Sequence, residues 1–104
     1  MATEIWEYVV DTYYTIWNGI EDLDVELNRI ASSYSGVWRD NSTDLTWCFL
    51  YTRRVSFGFT HEDVARMFIS AVPKKHFGIA SVSIVLSNNT TYKLDLGDFM
   101  ANTG

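Results

Sequence analysis

The chain has 104 residues, 47% hydrophobic and 15% aromatic, with one proline and a formal charge of −5. This length and composition indicate a single domain spanning residues 1–104 and exclude a second domain or a disordered chain. The single cysteine, Cys48, excludes an intramolecular disulfide, and we expect it to be buried in a strand. The N-terminal segment lacks a basic region and acids interrupt its apolar residues, so we expect no signal peptide, no membrane span and an intracellular, cytoplasmic location.

A long amphipathic pattern runs from Ile5 to Tyr34. Apolar side chains recur every seven residues in two sets: Trp6, Tyr13, Ile20, Leu27 and Tyr34, and Val9, Ile16, Leu23 and Ile30. Both sets fall on one arc of a helix that turns by about 100° per residue. The pattern predicts an N-terminal helix over about 4–34. Its unbroken phase favours continuity through Gly19, although a helical glycine costs about 1 kcal/mol relative to alanine.

Acidic residues are concentrated in the same stretch. Residues 1–28 hold seven acids and no base, whereas residues 29–104 hold six acids and eight bases. On the predicted helix, all of these seven acids except Asp24 lie opposite the apolar arc, and two tyrosines lie among them. Acids steer a basic partner and tyrosines supply contact area. The residues that we expect to bind a partner are Glu4, Glu7, Tyr8, Asp11, Tyr14, Glu21, Asp22 and Glu26.

The middle of the chain predicts a polar loop followed by two strands. Residues 39–44 are all polar, and from Leu45 to Thr60 large apolar and small polar side chains alternate, which is typical of a half-buried sheet. Sixteen residues are long for one strand, so we expect strands over about 45–52 and 54–60. An odd-numbered loop near Thr52 to Arg54 would keep the aromatic side chains on one face.

The rest of the chain predicts a second helix and two more strands. Thr60 and the acids after it are typical of a helix start, and Pro73 follows an apolar stripe, so we expect a helix over about 61–72. Strands follow over about 79–86 and 90–96. A three-residue loop at 87–89 would join them, with Asn89 in the left-handed conformation.

These elements follow the order α-β-β-α-β-β and indicate an α+β fold. We expect the long N-terminal amphipathic helix and the second helix to pack on one face of a mainly antiparallel sheet of about four strands. A continuous first helix would extend about 45 Å, beyond such a sheet. A homodimer formed through this helix is therefore an alternative to a helix that lies diagonally across the sheet.

No catalytic, cofactor or metal motif is visible in the sequence. The two histidines, His61 and His76, are explained by a helix start and a turn, and we expect neither to be catalytic nor to bind a metal. A small basic patch is conceivable from Arg53, Arg54 and the lysine pair 74–75. Four bases in a net acidic domain are a weak footprint for nucleic acid, so direct binding of nucleic acid is not expected.

The sequence therefore favours a non-catalytic intracellular protein-binding module without a cofactor. We interpret it as an acidic inhibitor or immunity-like protein of viral or mobile-element origin that occupies a basic, for example nucleic-acid-binding, surface of a partner. No membrane partner is expected. The alternative function is a structural or adaptor subunit that assembles through the N-terminal helix. An acidic face that is only solvated would fit the same pattern.

Overall fold

The computed structural model describes residues 4–17 and 23–101, which form one five-stranded sheet and three short helices. In chain order the elements are β1 (Ile5–Trp17), α1 (Asp24–Ser33), β2 (Val37–Trp47), β3 (Leu50–Phe59), α2 (Glu62–Ala71), β4 (Gly78–Leu86), β5 (Thr91–Leu94) and α3 (Leu96–Ala101). Neighbouring strands are all antiparallel, and their order across the sheet is β2-β3-β1-β4-β5.

The first element is a strand, so the predicted helix over 4–34 is wrong, as are the order α-β-β-α-β-β and the assembly through that helix. Eleven of the thirteen residues of β1 are β-branched or aromatic, and such side chains favour a pleated sheet. Every second side chain from Tyr8 to Ile16 is buried, which is the period of a strand. β1 lies in the centre of the sheet, between β3 and β4.

Only the last part of the predicted helix is helical among the described residues. This part is α1, which buries Leu27 and Ala31 and ends before Ser35, a residue with a φ of 60°. The N–H of Gly36 then donates to the Ala31 carbonyl at 2.7 Å, as in a helix C-terminal cap. The expected continuity through Gly19 falls outside the described residues.

Residues 39–44, which the sequence predicts as a loop, belong to β2 and pair with β3. The hairpin turn is at Cys48 and Phe49, and Cys48 adopts a φ of 54°. The predicted bend at 52–54 is therefore wrong, because these residues lie within β3. Cys48 is exposed rather than buried, since it occupies the turn.

The second half of the chain lies close to the predicted positions. α2 (Glu62–Ala71) falls within 61–72, and β4 (Gly78–Leu86) and β5 (Thr91–Leu94) form a hairpin. Asn89 has a φ of 69° in the loop between them, as expected for a residue that tolerates the left-handed conformation. α3 follows at once and buries Phe99.

The core lies between one face of the sheet and the helices. Its fully buried side chains include Val10, Val55, Phe57, Phe59, Phe68 and Val82. From Glu7 to Trp17, the odd-numbered residues of β1 point to the opposite face, and none of the described helices covers that face. We call it the open face. The molecule measures 50 × 25 × 23 Å, so the long strands set its longest dimension.

Candidate functional site

Strand alternation separates the residues that were expected to share one binding surface. Glu7 and Asp11 point to the open face, whereas Tyr8 and Tyr14 point into the core and are only 9% and 2% exposed. A helix would have placed all four together, but successive strand residues point to opposite faces. The prediction of a single acidic face on a helix is therefore wrong. That these residues bind a partner stays a prediction.

The other expected binding residues are dispersed. Glu4 directly precedes β1, and its carbonyl accepts the N–H of Ser87 at 2.8 Å. Glu26 lies in the first turn of α1. Glu21 and Asp22 fall outside the described residues.

The two acids on the open face have partners within the chain. Glu7 Oε2 accepts a hydrogen bond from Arg39 Nη2 at 2.6 Å. Asp11 accepts hydrogen bonds from the hydroxyls of Ser56 and Ser81. These contacts join β1 to its neighbours in the sheet and to β2, so they stabilise the sheet.

Tyr14 takes part in a mostly buried cluster with Asp24 and Arg53. Its hydroxyl donates to Asp24 Oδ1 at 2.7 Å, and Arg53 Nη2 donates to Asp24 Oδ2 at 2.7 Å. Burial alone would raise the pKa of Asp24, but these hydrogen bonds outweigh burial and lower it below its usual value. The cluster ties the start of α1 to β1 and β3, which is a structural role.

Tyr8 lines a groove of 350 Å³ between the sheet, α2 and α3. The groove is lined by Ile5, Tyr8, Glu62, Arg66, Ile84, Leu94, Asp95, Asp98 and Phe99, and we call it the acid-rimmed groove. Its apolar residues are contributed by three strands and α3. The Tyr8 hydroxyl donates to Glu62 Oε2 at 3.3 Å, and burial, together with the charge of Glu62, raises the pKa of Tyr8.

Arg66 is held in place at the side of this groove. Its Nε donates to the Phe99 carbonyl at 2.8 Å, and its guanidinium carbon lies 4.7 Å from the centre of the Phe99 ring. Its two other nitrogens donate to Asp63 at 3.0 Å and Glu62 at 3.1 Å. The guanidinium is thus directed at α2 and α3, and its charge is balanced by the two acids of α2.

Two further carboxylates on the groove remain without a cation. Asp95 Oδ1 accepts the backbone N–H of Asp98 and so caps α3. Neither Asp95 nor Asp98 forms an ion pair within the described part of the chain. The groove therefore combines three carboxylates with one guanidinium, around an apolar floor. The sequence pointed to Tyr8 alone, because the other lining residues meet only in the folded chain.

A second exposed feature lies at the opposite end of β1. Trp17, Trp47 and Phe49 are 60%, 70% and 61% exposed. Leu50 pairs with Trp17 on one side and Trp47 on the other, so the side chains of Leu50, Trp17 and Trp47 share the open face. Phe49 lies in the adjacent turn. We call Trp17, Trp47, Phe49 and Leu50 the aromatic tip.

The residues considered for catalysis are far apart. Cys48 lies at the turn before β3 and His61 follows the end of β3, so ten strand residues place them about 30 Å apart. A Cys–His pair needs hydrogen-bond contact.

Residues 4–17 and 23–101 contain no group of three or more potential ligands that could hold a metal ion. No helix in these ranges is long and apolar enough to cross a membrane.

The basic residues do not form one patch. Arg53 points to the helix-covered side and binds Asp24, whereas Arg54 points to the open face beside Tyr13. Lys74 Nζ donates to the carbonyls of Ile69 and Val72, and burial lowers the pKa of Lys74. Arg53 and Arg54 thus lie on opposite faces of the sheet, and Arg53 and Lys74 are engaged within the chain.

No family model and no curated protein matches this sequence, and no solved structure matches the fold. The site must therefore be interpreted from its own chemistry.

Proposed function

We propose that this protein is a non-catalytic protein-binding module, and that its acid-rimmed groove accepts a lysine or arginine side chain of a basic partner. The observation that carries the proposal is the combination of an apolar floor with the carboxylates of Asp95 and Asp98, which form no ion pair with another described residue. Long basic side chains have an apolar stem and a cationic end, and they bury the stem while the charge stays at the rim.

The groove has the polarity that such a side chain requires. Ile84 and Leu94 are partly buried and offer apolar contact to the stem. Asp98 is exposed at the rim and has no cation among the described residues. A cation placed there would gain a charge-assisted contact without breaking an existing ion pair. Glu62 adds a third carboxylate, although Arg66 already balances part of its charge.

The partner class follows from the same electrostatics. A protein with a net charge of −5 attracts a cationic surface and repels nucleic acid. Proteins that bind nucleic acid carry such surfaces, because they must neutralise phosphates. Occupation of one by this module would compete with the nucleic acid, which is the action of an inhibitor or immunity-like protein.

The test uses a fluorescent octalysine peptide and measures its binding by anisotropy. Removal of the rim charge in Asp98→Asn should weaken binding about fivefold, since a charge pair about 4 Å apart in a watery rim contributes roughly 1 kcal/mol. The matched control is Glu26→Gln on α1, which removes one negative charge away from the groove. At about 0.1 M salt its effect should stay within about twofold, because charges beyond the Debye length of about 10 Å are then screened.

Equal losses in the two variants would show that only net charge matters and would overturn the groove as the site. No binding of octalysine by the wild type at about 20 mM salt would overturn the proposed function itself, because electrostatic attraction is strongest there. If the wild type binds octalysine as expected, the same pair of variants can be used as baits in host lysate. The natural partner would be a basic protein that Glu26→Gln retains and Asp98→Asn loses.

A further inference from the structure

We propose that the aromatic tip is a self-association surface on which a second copy of this chain packs, open face against open face. This inference does not rest on the proposed function, because the tip and the groove lie at opposite ends of β1. Ile5 lines the groove and Trp17 belongs to the tip, so twelve residue steps separate them by about 40 Å.

The exposed apolar area is the first argument. Each aromatic side chain can bury about 150–250 Å², so Trp17, Trp47 and Phe49 together expose roughly 400 Å² at their observed exposures of 60–70%. Contiguous patches of this size on a monomer often mark an interaction site. Two tips in contact would bury about 800 Å² from these side chains alone. With Leu50 and the surrounding threonines, the total reaches the roughly 1,000 Å² that a specific interface requires.

The charges around the tip point to a second copy rather than to a charged partner. No charged residue occurs from Leu45 to Thr52. Among the described residues of the open face, the nearest charges are Asp44, which is paired in register with Thr52, and Arg54, which is paired with Ser42. Both are exposed, and neither forms an ion pair within the described ranges. The tip is therefore an uncharged apolar surface, and the tip of a second copy offers a surface of the same polarity and size.

Two-fold symmetry brings the two tips together. Sheets pack face to face about 10 Å apart, and a two-fold axis that runs across the strands at Leu50 would bring each tip onto the other. The helices of both copies remain on the outer faces, because they cover the opposite side of each sheet.

The association is measured by sedimentation equilibrium. The wild type should pass from 11.9 kDa toward twice this mass as its concentration rises through the micromolar range. Trp47→Ser should raise the dissociation constant at least tenfold, because exposed tryptophans that become buried at an interface dominate its affinity and each acts twice in a symmetric dimer. Trp6→Ser is the matched control, since Trp6 is 61% exposed but lies at the opposite end of β1, and it should leave the constant within about twofold. Circular dichroism of each variant reports whether it is folded.

A wild type that stays monomeric at about 500 μM would overturn the proposal, since a dimer weaker than this buries no specific interface. Equal weakening by Trp6→Ser and Trp47→Ser would overturn the location. A monomer that instead sediments with neutral phosphatidylcholine vesicles through Trp47 would assign the tip to a lipid surface, and this result would also overturn a second copy as the occupant.

Discussion

The ion pair between Asp24 and Arg53 gives a stability change that can be worked out from the structure. Asp24→Asn keeps the side-chain shape and removes its charge. The two side chains are 20% and 18% exposed and lie 2.7 Å apart. Breaking a fully buried pair costs about 3–5 kcal/mol and an exposed pair contributes at most about 1 kcal/mol, so this intermediate case should lower the free energy of unfolding by about 2 kcal/mol at pH 7.

The pH dependence follows from the lowered pKa of Asp24. A carboxyl group whose pKa is lower in the folded than in the unfolded state stabilises the fold above its unfolded pKa. This contribution is lost as the pH falls through the folded pKa. The difference in unfolding free energy between wild type and Asp24→Asn should therefore be constant near neutral pH and shrink below about pH 4.

Urea unfolding followed by tryptophan fluorescence at pH 7 and pH 3 measures both quantities. The matched control is Asp63→Asn, because Asp63 contacts Arg66 at 3.0 Å but is 87% exposed, and its loss should cost less than about 0.5 kcal/mol. The reasoning is refuted if Asp24→Asn lies within about 0.5 kcal/mol of the wild type, or if its deficit persists unchanged at pH 3.

Two further substitutions test local packing and the groove. In Gly36→Ala, a Cβ would lie 2.6 Å from Phe59 Cε1, so thermal unfolding should show a decrease of about 1–3 kcal/mol in the free energy of unfolding. Gly97→Ala is the control, because the nearest atom to its Cβ is 3.2 Å away, and its decrease should be smaller. Equal decreases in the two variants would contradict the clash. In Tyr8→Phe, alkaline titration at 295 nm should lose one phenol that ionises above about pH 10, because burial raises the pKa of Tyr8; loss of an ordinary phenol instead would contradict this.

The N-terminal stretch shows how two periodicities can compete in one sequence. Tyr8, Val10 and Tyr14 recur with the period of a strand, while the two heptad sets run through the same stretch on other residues. Both patterns fit thirteen residues because most of them are apolar. Residue type indicated the correct structure, since β-branched and aromatic side chains pack well on a pleated sheet. The helix was predicted instead because the heptad pattern extended beyond Trp17, into a different element.

The edge strand β2 could not be predicted from its own residues. Residues 39–44 are polar and exposed, because β2 is paired only through β3 and none of the described helices covers these residues. Such a strand has no buried side to impose alternation. Its register depends on the turn at Cys48, where a positive φ on a residue other than glycine or asparagine gives little sequence signal.

The second half of the chain was more predictable because its signals are local. Pro73 follows α2, and Asn89 supplies the left-handed residue of the β4–β5 loop. The acid-rimmed groove is different. Asp95 and Asp98 become rim residues only when α3 packs against α2 and β1, so only long-range contacts reveal the site. Tyr8 was predicted to bind a partner because it would lie on the acidic face of a helix. It lines the groove because it points to the helix-covered side of β1.

The length of the central strand explains how one small domain can offer two separate surfaces. The groove lies where β1 begins, and the aromatic tip lies where it ends, about 40 Å away. Association through the tips would leave both grooves exposed at the far ends of the dimer. A partner with two clusters of lysines could then be held at two points, and the gain in avidity would need no additional contact in either groove. A short peptide such as octalysine spans too little distance to reach both grooves, so its binding reports on one groove whatever the state of the tip.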